Sequence, residues 1–105
     1  MKTVTVAELK KMLDSSQKVK IIDVREAFEA DICSIGGELI PLADVIHQNE
    51  KFNSQIPVIV YCRSGKRSET AIAQLEQQFG YSNLYNLDGG ILAWIHEIDP
   101  SMDAY

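Results

Sequence analysis

The chain has 105 residues, enough for one compact domain, residues 1–105, around a single core. A hydrophobic content of 46% argues against disorder, and a net charge of −5 argues against a general nucleic-acid binder, which is ordinarily basic. Two cysteines, Cys33 and Cys62, with no C-x-x-C pair, disfavour a disulfide scaffold, a dithiol redox motif and a zinc ribbon, and fit a reducing, cytoplasmic setting. Met1 to Lys10 lacks the long apolar run of a signal peptide, and no stretch approaches the roughly 20 apolar residues that span a bilayer, so no membrane role is expected.

In chain order, Thr3-Val4-Thr5 reads as a short extended start. Thr5 with Glu8 matches a capping box, and Val6, Leu9, Met12 and Leu13 recur at helical spacing, which predicts a helix over 6–14. Val19 to Val24 reads as a strand that ends in the charged run Asp23-Val24-Arg25-Glu26. A short helix is expected from Ala27 to about Asp31. Gly36-Gly37 marks a turn, Leu39-Ile40 a brief strand stopped by Pro41, and Leu42 to about His47 another short helix. Asn49 to Gln55 is polar and reads as a loop.

Pro57 opens the next strand, Val58-Ile59-Val60-Tyr61, which runs into Cys62. Ser68 to Phe79 is the strongest helical pattern, with Ala71, Ile72, Leu75 and Phe79 as its apolar stripe and Gly80 as its stop. Leu84 to Leu87 is a last strand. Asp88-Gly89-Gly90 turns into a final helix carrying Ile91, Leu92, Trp94, Ile95 and Ile98, and Asp99-Pro100 ends it. Strands alternating with helices predict an α/β fold, a mostly parallel sheet covered on both faces.

The chemistry concentrates at Cys62. It stands at the carboxyl end of a strand, the edge where open α/β sheets place their ligands. The loop Arg63-Ser64-Gly65-Lys66-Arg67-Ser68 follows. Gly65 permits a sharp turn, and successive backbone N–H groups in such a loop can form a nest for an anion. A helix N-terminus adds to the same field. These surroundings favour a thiolate, the form in which cysteine is nucleophilic. Cys62 therefore reads as a reactive thiolate that carries a transferable group.

Carrying sulfur as a persulfide requires donors around the outer, anionic sulfur. Backbone N–H groups from Arg63 to Ser68 and the hydroxyls of Ser64 and Ser68 are the candidates. Arg63, Lys66 and Arg67 reverse the chain's sign locally, which suits an anionic donor such as thiosulfate or an acidic partner. Asp23 and Arg25 are expected near the same edge in a supporting role, with Arg25 paired to Glu26 or Glu29. Cys33 lacks a basic neighbour in sequence and reads as packing. Trp94 reads as core, and His47 and His96 have no partner at ligand spacing, so no metal is implied.

Asp23-Val24-Arg25-Glu26, Cys62-Arg63-Ser64-Gly65-Lys66-Arg67-Ser68 and Asn86-Leu87-Asp88-Gly89-Gly90-Ile91 with Ala93-Trp94 together resemble a rhodanese domain over essentially the whole chain. The resemblance implies a three-layer fold with a parallel sheet of five strands, sulfurtransferase activity with Cys62 as the persulfide carrier, and no bound cofactor. Asp31-Ile32-Cys33-Ser34-Ile35-Gly36-Gly37, Leu39-Ile40-Pro41-Leu42, the ending Ile98-Asp99-Pro100-Ser101 and Tyr105 are similar to a narrower group. That group is the rhodanese modules fused to ubiquitin-activating-type adenylyltransferases of molybdopterin and thiamine biosynthesis. It implies a ubiquitin-like sulfur carrier protein as acceptor and an adenylyltransferase as partner.

Two other readings compete. One is a non-catalytic rhodanese-like docking module, against which the retained Cys62 argues. The other is a dual-specificity-type phosphatase, whose loop places five residues between cysteine and arginine. Only four separate Cys62 from Arg67, a tighter cradle suited to one sulfur atom.

Overall fold

A computed structural model describes all 105 residues. Its strands are β1 (Lys2–Val4), β2 (Lys20–Asp23), β3 (Glu38–Leu39), β4 (Val58–Tyr61) and β5 (Leu84–Leu87). They form a single sheet in the order β1-β5-β4-β2-β3, and every pairing is parallel. The helices are α1 (Val6–Asp14), α2 (Ala27–Ile32), α3 (Lys66–Phe79) and α4 (Gly90–Glu97). The expected α/β architecture is the observed one.

Local chemistry explains the elements. Thr5 closes α1 as a reciprocal cap: its Oγ1 accepts the Glu8 N–H at 3.1 Å while Glu8 Oε1 accepts the Thr5 N–H at 2.9 Å. Gly80 ends α3 in the left-handed conformation, φ +70°. The β4 side chains alternate between two cores, as strand geometry requires. Val58, Val60 and Cys62 pack with Ala71, Ile72 and Leu75 of α3, while Ile59 and Tyr61 pack with α1 and α4 through Leu9, Ile91 and Trp94. Cys62 thus continues the alternation onto the α3 face.

Several local expectations are corrected. The polar stretch 49–55 is not all loop: Asn49–Phe52 forms a 3-10 turn, because Phe52 is buried in the core beneath it. Leu42 to His47 is not a full helix; only Leu42–Asp44 forms a 3-10 turn. Phe79 lies outside the core at 39% exposure and stacks on Tyr81. Helix α3 starts at Lys66 rather than at Ser68, which brings its first turn into the cysteine loop.

Candidate active site

Parallel strands put all their carboxyl ends on one edge. Register aligns Asp23 with Tyr61, and Val60 with Asn86. The residues that follow β2, β4 and β5 therefore meet: Val24-Arg25, Cys62-Arg63 and Asp88-Gly89-Gly90.

Cys62 is 1% exposed and its sulfur faces the start of α3. Sγ accepts the Gly65 N–H at 3.1 Å and lies 3.4 Å from the Ser68 N–H. Gly65 is the N-cap with φ +103°, a left-handed conformation that turns its amide back onto the sulfur. The amides of Lys66 and Arg67 begin α3 and have no acceptor one turn back within the helix. The carbonyls that would lie there, those of Cys62 and Arg63, accept instead from the Ile91 N–H at 2.9 Å and the Leu92 N–H at 3.1 Å. Two helix N-termini thus grip one loop: α4 holds its carbonyls, and α3 and Gly65 aim N–H groups at the sulfur.

Gly90 makes this grip geometrically allowed. It sits at φ +62°, and a Cβ there would come within 2.5 Å of the Arg63 carbonyl oxygen and 2.6 Å of that of Cys62. Close backbone approach thus explains Gly90, whereas a Cβ at Gly89 (φ +78°) would stand 2.6 Å from the Ala93 Cβ.

The Ser68 hydroxyl donates to Asn86 Oδ1 at 2.5 Å, and Asn86 Nδ2 donates to the Gly65 carbonyl at 3.1 Å. The Gly65 carbonyl can only accept, so it fixes the orientation of the Asn86 amide and hence the direction of the Ser68 proton. The Ser68 hydroxyl, a candidate donor to a persulfide's outer sulfur, is turned toward Asn86 here. Its oxygen lies 3.4 Å from Sγ, but its proton is committed to Asn86, and the Ser68 backbone amide is the donor on that side. The sequence names Asn86 only within the run that carries the family resemblance and gives it no role; the available signal is a polar residue inside the apolar strand Leu84–Leu87.

The cations of the loop are not equivalent. Arg67 is held by Glu29 through two bonds, at 2.7 and 2.8 Å. The carboxylate also accepts the Glu26 N–H at 2.9 Å and the Tyr105 hydroxyl at 2.9 Å. Arg67 is the main reason that the Glu29 carboxyl is held down to about 2, against the opposing effect of burial. Arg63 donates through Nε to the Tyr105 carbonyl at 2.7 Å and through Nη2 to the same oxygen, with its guanidinium 5.1 Å from the Tyr105 ring centroid. Lys66 and Ser64 are exposed. Of the three cations expected to suit an anionic donor or an acidic partner, Arg67 and Arg63 are engaged within the chain, while Lys66 has no ion-pair partner.

Arg25 is fully buried. Its partner is Asp23, not Glu26 or Glu29. Nε lies 2.9 Å from Oδ1, Nη2 lies 2.8 Å from Oδ2, and Oδ1 also accepts the Arg25 N–H at 3.0 Å. Nη1 donates to the Tyr105 hydroxyl at 3.0 Å and Nη2 to the Cys33 carbonyl at 2.8 Å. Burial disfavours the charge on Arg25, but the bonds to Asp23 and Tyr105 outweigh it and raise the pKa above its ordinary value. Cys33 packs in the α1/α4 core and does have a basic neighbour in space, Arg25 Nη1 at 3.9 Å. Both cysteines are unpaired thiols, and no helix is long and apolar enough to cross a membrane.

Known proteins resemble this chain in sequence and fold. Residues 5–97 match the family described as Rhodanese-like domain. The chain is 38% identical to the probable adenylyltransferase/sulfurtransferase MoeZ of Mycobacterium tuberculosis, over 98% of this chain and 27% of that protein. It is 32% identical to the adenylyltransferase and sulfurtransferase MOCS3 of Drosophila ananassae, over 81% of this chain and 21% of that protein. The chain thus spans about a quarter of the length of these curated relatives. Among solved structures, a rhodanese-like domain protein from Staphylococcus aureus superposes with a TM-score of 0.81 at 29% identity, covering 100% of this chain and 99% of that one. Sequence and architecture agree, and the chain belongs to the rhodanese-like domain family.

Proposed function

We propose that the chain is a sulfurtransferase that carries sulfane sulfur on Cys62. The observation that carries this reading is the pair of backbone donors at Sγ, the Gly65 N–H at 3.1 Å and the Ser68 N–H at 3.4 Å, at the start of α3. Similarity to proteins named as adenylyltransferase/sulfurtransferases supports the same chemistry.

The reaction has two steps. The Cys62 thiolate attacks the outer sulfur of a donor such as thiosulfate; a sulfur–sulfur bond forms, the donor's sulfur–sulfur bond breaks, and sulfite leaves with the electron pair. The persulfide's outer sulfur keeps the negative charge. The Lys66 and Arg67 amides, beyond Gly65 on the same turn, are the donors we assign to it, together with the α3 dipole. A thiophilic acceptor then attacks that sulfur and Cys62 leaves as thiolate. Cyanide serves in vitro, giving thiocyanate. By likeness to the named relatives, the acceptor we propose is a small ubiquitin-like sulfur carrier protein working with an adenylyltransferase. Lys66 is the cation left to meet an anionic donor, while the Asp23–Arg25 pair holds the Cys33 carbonyl and the Tyr105 hydroxyl in place.

The engagement of Arg67 by Glu29 counts against phosphatase chemistry, which needs an arginine turned toward the phosphate oxygens. The test is thiocyanate formation from thiosulfate and cyanide. Wild type turns over, Cys62→Ser does not, and Cys33→Ser keeps most of the rate. Turnover in Cys62→Ser at the wild-type level overturns the assignment, and absence of turnover in the wild type favours a docking module.

A further inference from the structure

Tyr105 lies 42 residues from Arg63, yet it is the group that engages Arg63. Its hydroxyl is fixed at both ends, accepting from Arg25 Nη1 at 3.0 Å and donating to Glu29 Oε1 at 2.9 Å. Its ring lies beside two guanidinium groups, 5.9 Å from that of Arg25 and 5.1 Å from that of Arg63. Its carbonyl takes Nε and Nη2 of Arg63. Through Glu29 the same hydroxyl also touches the pair that holds Arg67.

From this arrangement we infer that Tyr105 determines how strongly the cysteine loop attracts anions, by holding Arg63 away from the sulfur. The inference rests on Cys62 being the reactive thiol of the loop. Arg63 adjoins Cys62, and its carbonyl is pinned by the Leu92 N–H at 3.1 Å; removing the Tyr105 ring and hydroxyl takes away the stacking on Arg63 and the anchors that seat residue 105, so its main-chain oxygen no longer holds the guanidinium in place while the Arg63 backbone stays fixed. A released guanidinium next to the thiolate raises the local positive potential and favours dianionic donors over neutral ones. With Tyr105 seated, Lys66 carries that task alone. Tyr105 is a positioning residue for donor selectivity; it does not touch the reacting sulfur.

The test reads charge at Cys62 without depending on sulfur transfer. Alkylation of Cys62 by anionic iodoacetate and by neutral iodoacetamide is timed by peptide mass spectrometry, and the rate ratio reports the local potential. Four proteins are compared: wild type, Tyr105→Ala, Arg63→Ala and the double variant, each checked for native circular dichroism. The ratio should rise several-fold in Tyr105→Ala. Arg63→Ala should lower it by a larger factor in the Tyr105→Ala background than in the wild type, the non-additivity expected of coupled residues. Tyr105→Phe, which keeps the ring and loses only the hydroxyl anchors, should fall between wild type and Tyr105→Ala. Thiosulfate KM should move opposite to the ratio, decreasing in Tyr105→Ala. An unchanged or lower ratio in Tyr105→Ala, or equal factors for Arg63→Ala in both backgrounds, overturns the inference. If thiosulfate is not turned over but the ratios behave as stated, the sulfur-transfer reading fails while the role of Tyr105 stands. If Tyr105→Ala does not fold, the same reading is taken from Tyr105→Phe and its double variant with Arg63→Ala.

Discussion

Gly90→Ala probes the contact between α4 and the cysteine loop most sharply. Two costs add. An alanine at φ +62° takes on left-handed strain, about 1–2 kcal/mol for a residue with a Cβ. The new Cβ would also stand 2.5 Å from the Arg63 carbonyl oxygen, 2.6 Å from the Arg63 carbonyl carbon and 2.6 Å from the Cys62 oxygen. These are backbone atoms and cannot rotate away, so the loop must shift, at about 1–3 kcal/mol for an overpacked site. The sum is about 2–5 kcal/mol, a large part of the about 5–15 kcal/mol that a domain commonly has. Gly36→Ala is the control: Gly36 has φ +92° but nothing within 4 Å of an added Cβ, so strain alone applies. Urea unfolding should show Gly90→Ala less stable than Gly36→Ala by about 1–3 kcal/mol at unchanged m-value. The shift also breaks the Ile91–Cys62 and Leu92–Arg63 bonds and misplaces the donors around Sγ. Thiocyanate formation by the folded fraction should fall about 10²-fold, the cost of misplacement by about 1 Å. Equal stability losses in the two variants, or wild-type turnover in Gly90→Ala, would refute the account of how the loop is held.

Other substitutions test the remaining supports. Asp23→Ala leaves the Arg25 guanidinium buried without its counter-ion and should destabilise by about 3–5 kcal/mol in thermal or urea unfolding. Asn86→Asp cannot donate to the Gly65 carbonyl and sets a second negative charge near Sγ; kcat for sulfur transfer should drop at least about tenfold, matching the about 1–3 kcal/mol of an unmade buried hydrogen bond. Glu29, with a carboxyl pKa lowered to about 2 from an ordinary 4.5, stabilises the fold above the unfolded value and loses that contribution as pH falls through about 2. Glu29→Gln should flatten stability against pH between those limits, and at neutral pH should cost at most about 3 kcal/mol, less because Arg67 is half-buried.

Much of the fold is written locally. The Thr5–Glu8 box, the β-branched run into Cys62, and Gly80 after the α3 stripe each specify an element from neighbouring residues. What the sequence conceals is tertiary. Asn49–Phe52 turns because Phe52 is buried, and its polar neighbours hide that. The sequence suggests Glu26 or Glu29 as the partner of Arg25, but Asp23 and Arg25 sit at a strand end, where alternate residues share a side, and Asp23 takes the guanidinium. The Glu29–Arg67 pair joins residues 38 apart, and Tyr105 meets Glu29 across 76, so no local pattern announces either. The strand, loop and helix order around Cys62 was legible because one continuous segment contains it. The roles of Ser68 and Asn86 became visible only when β5 was placed beside β4.

The central claim, that Cys62 holds the transferred sulfur, is tested most directly by peptide mass spectrometry after brief exposure to thiosulfate, with and without a cyanide chase. The account predicts one added sulfur on the peptide containing Cys62, absent from the Cys33 peptide and removed by cyanide. Sulfur found on Cys33, or a Cys62 peptide that gains none, would contradict it.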